Sequence, residues 1–246
     1  MDLSNRTAFV TGSRRIGAVV AVAMARRGAD VAIAYNRSKS EAEAAAAEVR
    51  AAGRRALVVQ GDVADGAGVR AMVRQVDAEF GRLDVLVNMA SLYNKVALDE
   101  VDEAVWDRQL AVDLRGSFLC ARAAIPLMRR SGGGRIINFA DWVAASGRPR
   151  YKGYLAYYVA KAGVKALTEA LALEVAADGI LVNAVAPGPI LAPPDTTDDE
   201  LEAVERATPL GRWGGPEEIA KAVLALIDSD FITGETIRVD GGRHVQ

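Results

Sequence analysis

Short apolar runs alternate with longer amphipathic segments along the whole chain. The runs are rich in β-branched and aliphatic residues, and this composition predicts strands. They are Arg6–Thr11, Val31–Tyr35, Ala56–Gln60, Leu83–Asn88, Arg135–Ala140, Ile180–Val185 and Thr236–Val239. Because the apolar positions are continuous rather than alternating, we expect the strands to be buried on both faces of a sheet.

The segments between the strands have the residue spacing of helices. They predict helices over Ile16–Arg27, Ser40–Ala52, Val69–Phe80, Val101–Arg130, Tyr154–Ala177 and Pro216–Asp228. Glycines follow several of them, as at Gly28, Gly53 and Gly81, where a helix commonly ends. Strands that alternate with helices predict right-handed crossovers and a parallel sheet. The expected fold class is therefore α/β, a doubly wound three-layer sandwich with a seven-stranded parallel sheet.

One long segment, Leu191–Thr208, shows neither pattern. It begins with prolines and carries an acidic cluster over Asp195–Glu200. Its position between the sixth strand and the last helix predicts a substrate lid at about residues 190–209. We find no linker, repeat or low-complexity block, so we expect residues 1–246 to form a single domain.

Composition excludes several kinds of partner and site. The formal net charge of -2 gives no electrostatic reason to expect nucleic acid or an anionic membrane as a partner. The longest apolar runs, such as Ile16–Ala25, are too short to span a bilayer, and the N-terminus lacks a basic-then-apolar leader, so we expect a cytoplasmic protein. One cysteine, Cys120, and one histidine, His244, cannot build a disulfide, a Cys/His zinc site or an ordinary Ser-His-Asp triad, and we expect no metal.

A glycine turn follows the first predicted strand and reads Thr11-Gly12-Ser13-Arg14-Arg15-Ile16-Gly17. Such a turn presents backbone N–H groups at a helix N-terminus, where a pyrophosphate is favoured. Gly12 would permit the turn and Gly17 would let the helix pack closely on the sheet, as in a Rossmann-type fold. The middle glycine of the G-x-G-x-x-G pattern is missing, with Arg15 near its place. On its own, the turn is equally typical of an ordinary strand–helix connection.

The end of the second strand bears on the identity of the cofactor. NAD-binding units usually carry an acidic residue there for the ribose 2′-hydroxyl. Here the segment reads Asn36-Arg37-Ser38, without an acid. Arg37, Ser38 and Arg15 could hold a 2′-phosphate through charge-assisted hydrogen bonds, although a solvated basic loop is the alternative. The arginines favour NADP(H) over NAD(H).

Tyr157 and Lys161 are the candidate acid–base residues. They are four positions apart near the start of a long predicted helix, so they share one helix face. A nearby ammonium would lower the pKa of the phenol and make it a usable acid–base group. The alternative is a surface pair of a cation and an aromatic ring.

Together these motifs resemble the short-chain dehydrogenase/reductase family over nearly the whole chain. The matching pieces are Thr11-Gly12 with Gly17, Gly61-Asp62-Val63, Asn88-Met89-Ala90-Ser91, Tyr157 with Lys161, Pro187-Gly188-Pro189-Ile190 and the ending Asp240-Gly241-Gly242. The resemblance implies hydride transfer from a nicotinamide cofactor, with Tyr157 as the proton donor and Lys161 on the nicotinamide ribose. It also implies a homotetramer, which fits long predicted helices that are apolar on more than one side.

The resemblance assigns most of the expected cofactor contacts. Asp62 and Val63 would flank the adenine, Asn88 and Ala90 the middle of the cofactor, and Pro187–Ile190 the nicotinamide. The full set expected to bind the cofactor is Gly12, Ser13, Arg14, Arg15, Ile16, Gly17, Asn36, Arg37, Ser38, Asp62, Val63, Asn88, Ala90, Ser91, Tyr157, Lys161, Pro187, Gly188 and Ile190.

The chain departs from the family pattern at four places. Asp141 stands where the family has its catalytic serine after the fifth strand, and Asp113 stands where it has an asparagine in the preceding long helix. Met89 replaces the second asparagine of the Asn-Asn-Ala-Gly pattern, and the glycine turn is one residue short.

The aspartate at the serine position, the turn and Asn36-Arg37-Ser38 are together similar to the pteridine reductase branch of the family. That branch uses an Asp–Tyr–Lys set, which falls here on Asp141, Tyr157 and Lys161. Its pterin-stacking aromatic falls on Tyr93, and its residues at Arg15 and Ser91 contact cofactor or pterin. The expected catalytic residues are Tyr157, Lys161, Asp141 and Asp113, and the expected substrate residues are Tyr93, Asp141 and Tyr157.

Two interpretations of Asp141 remain open. A buried carboxyl could stay protonated near neutral pH and relay a proton, which a ring imine or keto-pterin needs in addition to a hydride. Alternatively, Asp141 could cap a loop or pair with Arg148 or Arg150. Asp113 could likewise be structural. The loop from Asp141 to Tyr157 is about three residues longer than the family norm, which places an insertion near Ser146–Lys152.

Four functions are compatible with these residues. The favoured one is NADPH-dependent reduction of a C=O or C=N bond, with a pteridine-like small molecule as substrate. The alternatives are a 3-oxoacyl-[acyl-carrier-protein] reductase, a sugar or polyol dehydrogenase, and a non-catalytic dinucleotide sensor that kept the fold. The presence of both Tyr157 and Lys161 argues against the sensor.

Overall fold

The computed structural model describes residues 1–193 and 196–245 and builds them around one parallel sheet. The strands are β1 (Thr7–Thr11), β2 (Asp30–Tyr35), β3 (Ala56–Gln60), β4 (Val85–Asn88), β5 (Gly134–Phe139), β6 (Ile180–Pro187) and β7 (Thr236–Val239). Their order across the sheet is β3-β2-β1-β4-β5-β6-β7, and every neighbouring pair is parallel. This is the Rossmann-type α/β fold expected from the alternation of strands and helices.

The helices form a layer on each side of the sheet. They are α1 (Ile16–Arg26), α2 (Lys39–Ala51), α3 (Gly66–Phe80), α4 (Glu103–Leu110), α5 (Gly116–Arg130), α6 (Trp142–Ala145), α7 (Leu155–Val175), α8 (Asp198–Arg206) and α9 (Pro216–Asp228). Helices α1, α2 and α9 pack on one face, and α3, α5 and α7 pack on the other. None of the helices that the structure describes is both long and apolar enough to cross a membrane.

Strand β1 shows why the strand sequences are continuously apolar. Ala8 and Val10 belong to the core beneath α1, α2 and α9, whereas Phe9 belongs to the core beneath α3, α5 and α7. All five residues of the strand are buried. Because successive side chains point to opposite faces and both faces are covered, the three central side chains of the strand are all apolar.

The long helix expected over Val101–Arg130 is interrupted. Helix α4 begins after Asp102, whose side chain accepts a hydrogen bond from the Val105 N–H. A π-helical turn over Ala111–Arg115 then separates α4 from α5. The Ser117 hydroxyl donates to the Asp113 carbonyl at 2.9 Å within this widened turn. Single π-helical turns are often found at functional sites, and this one contains Asp113.

The expectation that Leu191–Thr208 is irregular was wrong for its second half, which forms α8. Thr197 and Glu200 make a capping box in which each side chain accepts a hydrogen bond from the other residue's backbone N–H. This Thr-x-x-Glu spacing is a recognised signal for the start of a helix, and it predicts α8 from the sequence. Pro194 and Asp195, which belong to the predicted lid, lie outside the described residues.

The parallel arrangement places the carboxyl ends of all strands at one edge of the sheet. From β1 the sheet grows outward to β2 and β3 on one side, and the chain then crosses back to place β4 on the other side of β1. The direction of the strand order therefore reverses between β1 and β4. In open α/β sheets, ligands bind in the crevice at such a point.

Asp65 provides a test of the helix assignments that does not involve the site. Its carboxylate caps α3 by accepting from the N–H groups of Ala67 and Gly68, each at 3.0 Å. We predict that Asp65→Ala lowers the free energy of unfolding by about 1 kcal/mol, measured by urea denaturation at fixed protein concentration, because these donors lose their partner. Asp65→Asn retains a side-chain acceptor, so its free energy of unfolding should fall much less. Equal losses in both variants would contradict the capping role.

Candidate active site

One cavity of about 1300 Å³ opens at the carboxyl edge of the sheet. It gathers nearly all of the residues expected to form a site. They are Gly12, Ser13, Arg14, Arg15, Ile16, Gly17, Asn36, Arg37, Ser38, Asp62, Val63, Ala90, Ser91, Tyr93, Asp141, Tyr157, Lys161, Pro187, Gly188 and Ile190. Residues that are distant in the chain meet there because each follows or lies near the carboxyl end of a strand, or lies at the start of the following helix.

Two expected residues, Asn88 and Asp113, do not line this cavity. Asn88 is buried at the end of β4, where its Nδ2 donates to Asn138 Oδ1 at 2.9 Å and to the Ser117 carbonyl at 3.3 Å. Asn88 therefore does not line the cavity in which its contact with a cofactor was expected. Asn88 instead ties β4 to β5 and to α5 behind the wall of the cavity.

The glycine turn is tightly folded over β4. A Cβ on Gly12 would lie 3.1 Å from the backbone of Met89 and Ala90, and a Cβ on Gly17 would lie 1.9 Å from the Gly12 carbonyl oxygen. Arg15 has a φ of 51°, in the region that favours glycine, so it occupies the place of the missing middle glycine at the cost of backbone strain.

The side chains of the turn point in different directions. The Arg15 guanidinium donates to the carbonyl of Ala192 at 2.6 Å, so it contacts the predicted lid segment rather than the end of β2, where a 2′-phosphate was expected. Arg37 is exposed and Ser38 half-buried at that strand end, and both line the cavity. The Ser13 hydroxyl is buried without a hydrogen-bond partner among the described residues.

Asp141 caps a short helix and also contacts the candidate acid Tyr157. Its Oδ1 accepts from the Val143 N–H at 2.8 Å and caps the short helix α6. Its Oδ2 lies 3.1 Å from the Tyr157 hydroxyl. The carboxyl that replaces the family's serine is therefore held by α6 in direct hydrogen-bond contact with the candidate acid.

The pKa of the Asp141 carboxyl is raised. Burial is the main cause, and the hydrogen bonds from the Val143 N–H and the Tyr157 hydroxyl, together with the charge of Lys161, offset it only in part. The direction agrees with the expectation that this carboxyl keeps its proton to a higher pH than an exposed aspartate does.

The pKa of Tyr157 is raised well above its ordinary value, so the expectation that Lys161 lowers it was wrong. Burial is the largest cause, followed by the negative charges of Asp141 and Asp113. Lys161 does lie near, with its Nζ 5.6 Å from the centre of the Tyr157 ring. However, Asp113 acts as the counter-ion of Lys161, so the charge of Lys161 is directed toward Asp113 rather than toward the phenol.

The Lys161–Asp113 ion pair is buried. Lys161 Nζ lies 3.2 Å from Asp113 Oδ1 and donates to the Phe139 carbonyl at 2.8 Å. Asp113 also accepts from the Leu92 N–H at 3.1 Å, from Gln109 Nε2 at 2.8 Å and from the Ser91 hydroxyl. The pair is nearly neutral overall, which limits its influence on the phenol.

Tyr93, the predicted substrate contact, lines the cavity beside Tyr157. The side chain is 56% exposed, its ring stacks on Tyr154 with centroids 4.9 Å apart, and it meets the edge of Tyr157 at 5.0 Å. Tyr154 immediately precedes α7, as expected from the placement of the insertion. The three rings form an aromatic wall beside the Tyr157 hydroxyl.

Several residues on the cavity wall were not expected from the sequence. Arg108 pairs with Asp62 at 3.0 Å, and Arg243, close to the C-terminus, packs on Trp142. Trp142 directly follows Asp141 in the chain, so its position was available from the sequence. Nothing in the sequence pattern placed Arg243 there, because it follows the last strand by four residues and approaches the cavity only through the folded C-terminal turn.

Comparison with known proteins identifies the family. Residues 10–244 match the family model described as enoyl-(acyl carrier protein) reductase. The 3-oxoacyl-[acyl-carrier-protein] reductase FabG of Staphylococcus aureus is 42% identical over 247 residues and 98% of each chain. The (2S)-[(R)-hydroxy(phenyl)methyl]succinyl-CoA dehydrogenase subunit BbsD of Thauera aromatica is 37% identical, over 99% of this chain and 98% of its own.

Solved structures give the same result. A short-chain dehydrogenase/reductase from Serratia marcescens superposes with a TM-score of 0.92 at 35% identity, over 99% of this chain and 100% of its own. The acetoin dehydrogenase of Enterobacter cloacae superposes with a TM-score of 0.88 at 37% identity, over 98% and 96% of the two chains. The chain is therefore an oxidoreductase that belongs to the short-chain dehydrogenase/reductase family.

Proposed function

We propose that this chain is an NADPH-dependent reductase of a ketone carbonyl, with a 3-oxoacyl thioester as the favoured substrate class. The observation that carries the proposal is the Tyr157 hydroxyl, which lies in the cavity within hydrogen-bond distance of a carboxyl whose pKa is raised. An acid that can be resupplied with a proton suits the reduction of a carbonyl.

The residues present fit a dinucleotide. The turn brings backbone N–H groups to the start of α1, and the lack of a side chain on Gly12 lets the turn pack against the backbone of Met89 and Ala90. The buried Ser13 hydroxyl, which has no partner among the described residues, is an available donor. We assign the pyrophosphate to residues 12–17, the adenine to Asp62 and Val63, and the nicotinamide end to Lys161 and residues 187–190. When bound, the cofactor supplies the hydride.

The end of β2 favours a phosphorylated cofactor. Arg37 and Ser38 line the cavity at the position where an NAD-binding unit would present an acid. A guanidinium and a hydroxyl provide several donors for a 2′-phosphate. Arg15 is directed toward Ala192, so we assign the 2′-phosphate to Arg37 and Ser38 rather than to Arg15.

Tyr157 and Asp141 act as a proton relay in this proposal. When Asp141 is protonated, its O–H donates to the Tyr157 oxygen, and the phenol proton is free to point at the substrate. Tyr157 gives this proton to the carbonyl oxygen as the carbonyl carbon receives the hydride, and Asp141 replaces it. Lys161 orients the ribose, and Asp113 positions Lys161.

A 3-oxoacyl thioester and a pteridine-like heterocycle are supported by different observations. Two relatives, at 42% and 37% identity, carry the printed activities of 3-oxoacyl-[acyl-carrier-protein] reductase and of (2S)-[(R)-hydroxy(phenyl)methyl]succinyl-CoA dehydrogenase, and both act on thioesters, which favours the thioester. The aromatic wall of Tyr93, Tyr154 and Tyr157 and the carboxyl of Asp141 suit a flat ring with a basic nitrogen. The pteridine remains the second candidate for this reason.

Self-association as a homotetramer stays a prediction. Leu98, Leu155 and Val159 are exposed near α4 and on α7, and Phe118 is exposed on α5. Large exposed apolar side chains on neighbouring helices are typical of a surface that another subunit covers. Location in the cytoplasm likewise stays a prediction.

Arg37 tests the cofactor assignment. We predict that Arg37→Met lowers kcat/KM for NADPH by about ten- to a hundredfold, because a charge-assisted contact to the 2′-phosphate is lost, and leaves kcat/KM for NADH nearly unchanged. Steady-state kinetics with each cofactor measure this. Arg26→Met, the same change at the exposed far end of α1, is the control. An equal loss for both cofactors would overturn the assignment.

Asp141→Ser distinguishes the two substrate classes. With an acetoacetyl thioester we predict that the variant keeps most of its rate, because a serine hydroxyl, the family's group at this position, can still donate a hydrogen bond to the Tyr157 oxygen. With dihydrobiopterin we predict a loss of about a hundredfold or more if the carboxyl must protonate a ring nitrogen. Rates with NADPH for both substrates decide between them. Failure of the wild type with every ketone and pterin would overturn the proposed function.

The relay predicts a pH dependence with a definite sign. The pKa of Asp141 is raised, and the protonated form is the active one, so kcat/KM for reduction should be highest below this pKa and fall as the pH rises through it. Asp141→Ser removes the titrating group and should abolish this fall. If Asp141→Ser shows the same fall of kcat/KM with rising pH as the wild type, another group causes that fall.

A further inference from the structure

We infer that the substrate end of the cavity contains a binding site for an oxyanion of the substrate, a carboxylate or a phosphate, built around Arg243. The inference rests on the proposed reductase function, since it specifies what the substrate of that function carries.

The charge of the cavity differs in sign from that of the chain. The chain has a formal net charge of -2, yet nine lysines and arginines line the cavity against three acidic residues. Some of this charge is already neutralised by Asp62 beside Arg108 and by Asp113 beside Lys161. The charge of Lys95 acts on the cavity-lining carboxylate of Glu200, whose pKa it helps to lower after the hydrogen bonds from Thr197. Some faces the proposed cofactor phosphates. The rest comes from elsewhere in the chain and needs a separate explanation.

Four of these cations lie on segments that the proposed cofactor does not use. Lys95 follows β4, Arg150 and Lys152 lie in the loop after α6, and Arg243 lies in the C-terminal turn. They line the same cavity as Tyr157 and the aromatic wall. An excess of positive charge at the substrate end favours a negatively charged substrate.

Arg243 is held in place before any ligand binds. Its Nη1 donates to the Val204 carbonyl at 3.1 Å and to the Thr208 hydroxyl at 3.4 Å. Its guanidinium carbon lies 5.5 Å from the centre of the Trp142 ring, and Trp142 is 5% exposed. A guanidinium fixed in this way loses little further freedom when it binds an anion.

The backbone that carries Arg243 is also fixed. Asp240 is 4% exposed and accepts from the N–H groups of Gly242 and His244, each at 3.0 Å. The His244 ring lies 2.7 Å from the same carboxylate. This buried carboxylate folds the C-terminal turn back toward Val204 and Thr208, so the position of Arg243 is a built feature of the fold.

The guanidinium keeps donors for a ligand. In residues 1–193 and 196–245, the side-chain hydrogen bonds of Arg243 run through Nη1, and no carboxylate of these residues lies within ion-pair distance of the guanidinium. Nε and Nη2 therefore remain for an oxyanion, which suits the paired geometry of a carboxylate or phosphate. The Arg150 guanidinium lies 5.3 Å from the same Trp142 ring.

Trp142 connects this site with the reaction. It directly follows Asp141, whose carboxyl meets the Tyr157 hydroxyl. A substrate whose ketone reaches Tyr157 could extend past the aromatic wall and place an anionic group at Arg243. The inferred substrate class is therefore a keto compound that carries a carboxylate or phosphate beyond its reducible carbonyl.

The test compares two N-acetylcysteamine thioesters, those of 3-oxohexanoic acid and 3-oxoadipic acid, which differ only in a methyl or a carboxylate at the far end of the acyl chain. We expect the wild type to prefer the carboxylate substrate. Arg243→Met should lower kcat/KM for this substrate by about tenfold or more and for the methyl substrate by less than about threefold. Arg243→Lys keeps the charge without the paired donors and should recover part of the loss.

Arg74→Met provides the matched control, since Arg74 is exposed on α3 and does not line the cavity. It should leave both rates unchanged. The coenzyme A thioester of 3-oxohexanoic acid distinguishes the source of the anion. A loss in Arg243→Met with this substrate alone assigns the site to a phosphate of the carrier. Equal effects of Arg243→Met on all three substrates would overturn the inference.

A binding measurement separates this inference from the proposed function. Isothermal titration compares adipic acid monoamide with hexanamide, again a carboxylate in place of a methyl. Wild type should bind the monoamide more tightly, and Arg243→Met should abolish the difference. If this holds although no ketone is reduced, the proposed function fails and the oxyanion site stands. If reduction occurs but neither binding nor kinetics depends on Arg243, the oxyanion site fails and the proposed function stands.

Discussion

The active end of this molecule depends on the burial of one ammonium. Lys161 is 3% exposed, and a buried charge is costly unless it has a counter-ion and hydrogen bonds. Asp113 and the Phe139 carbonyl meet this requirement from two other elements, the π-helical turn and the end of β5. Removal of either charge would leave the other buried and unpaired. This pair therefore fixes α7, and with it Tyr157, against the edge of the sheet.

The same pair changes the chemistry expected of the neighbouring phenol. A lysine whose charge is matched by an aspartate has little left with which to lower the pKa of Tyr157. Burial raises this pKa most, and the negative charges of Asp141, when it is ionised, and of Asp113 raise it further. The phenol then stays protonated until the substrate takes its proton, and it needs a neighbouring donor that stabilises the phenolate and returns a proton. Asp141, whose pKa is also raised and whose Oδ2 lies 3.1 Å from the phenol, is suited to that role. The two aspartates that depart from the family pattern thus belong to one arrangement.

Most of the fold could be predicted from the sequence, because the signals were local. Continuous apolar runs identified the strands, and parallel connections brought Gly12, Asp141 and Tyr157 to one edge. Distances and charges between side chains could not be predicted in the same way. The pattern placed Lys161 near Tyr157 but did not reveal that Asp113 neutralises it. Arg243 reaches the cavity only through contacts of the folded C-terminal turn, and periodicity carries no information about such contacts. The missed helix α8 had a local signal in Thr197 and Glu200, which was overlooked.

The protonation state of Asp141 tests the central claim most directly. Carbon-13 NMR of the aspartate side-chain carboxyls can follow each resonance with pH, and comparison with Asp141→Asn assigns the one that belongs to Asp141. The account predicts that this resonance titrates at a higher pH than those of the exposed aspartates, because burial raises the pKa of this carboxyl. A resonance that titrates at or below the pH of the exposed aspartates would contradict the relay, because Asp141 would then have no proton to return to Tyr157.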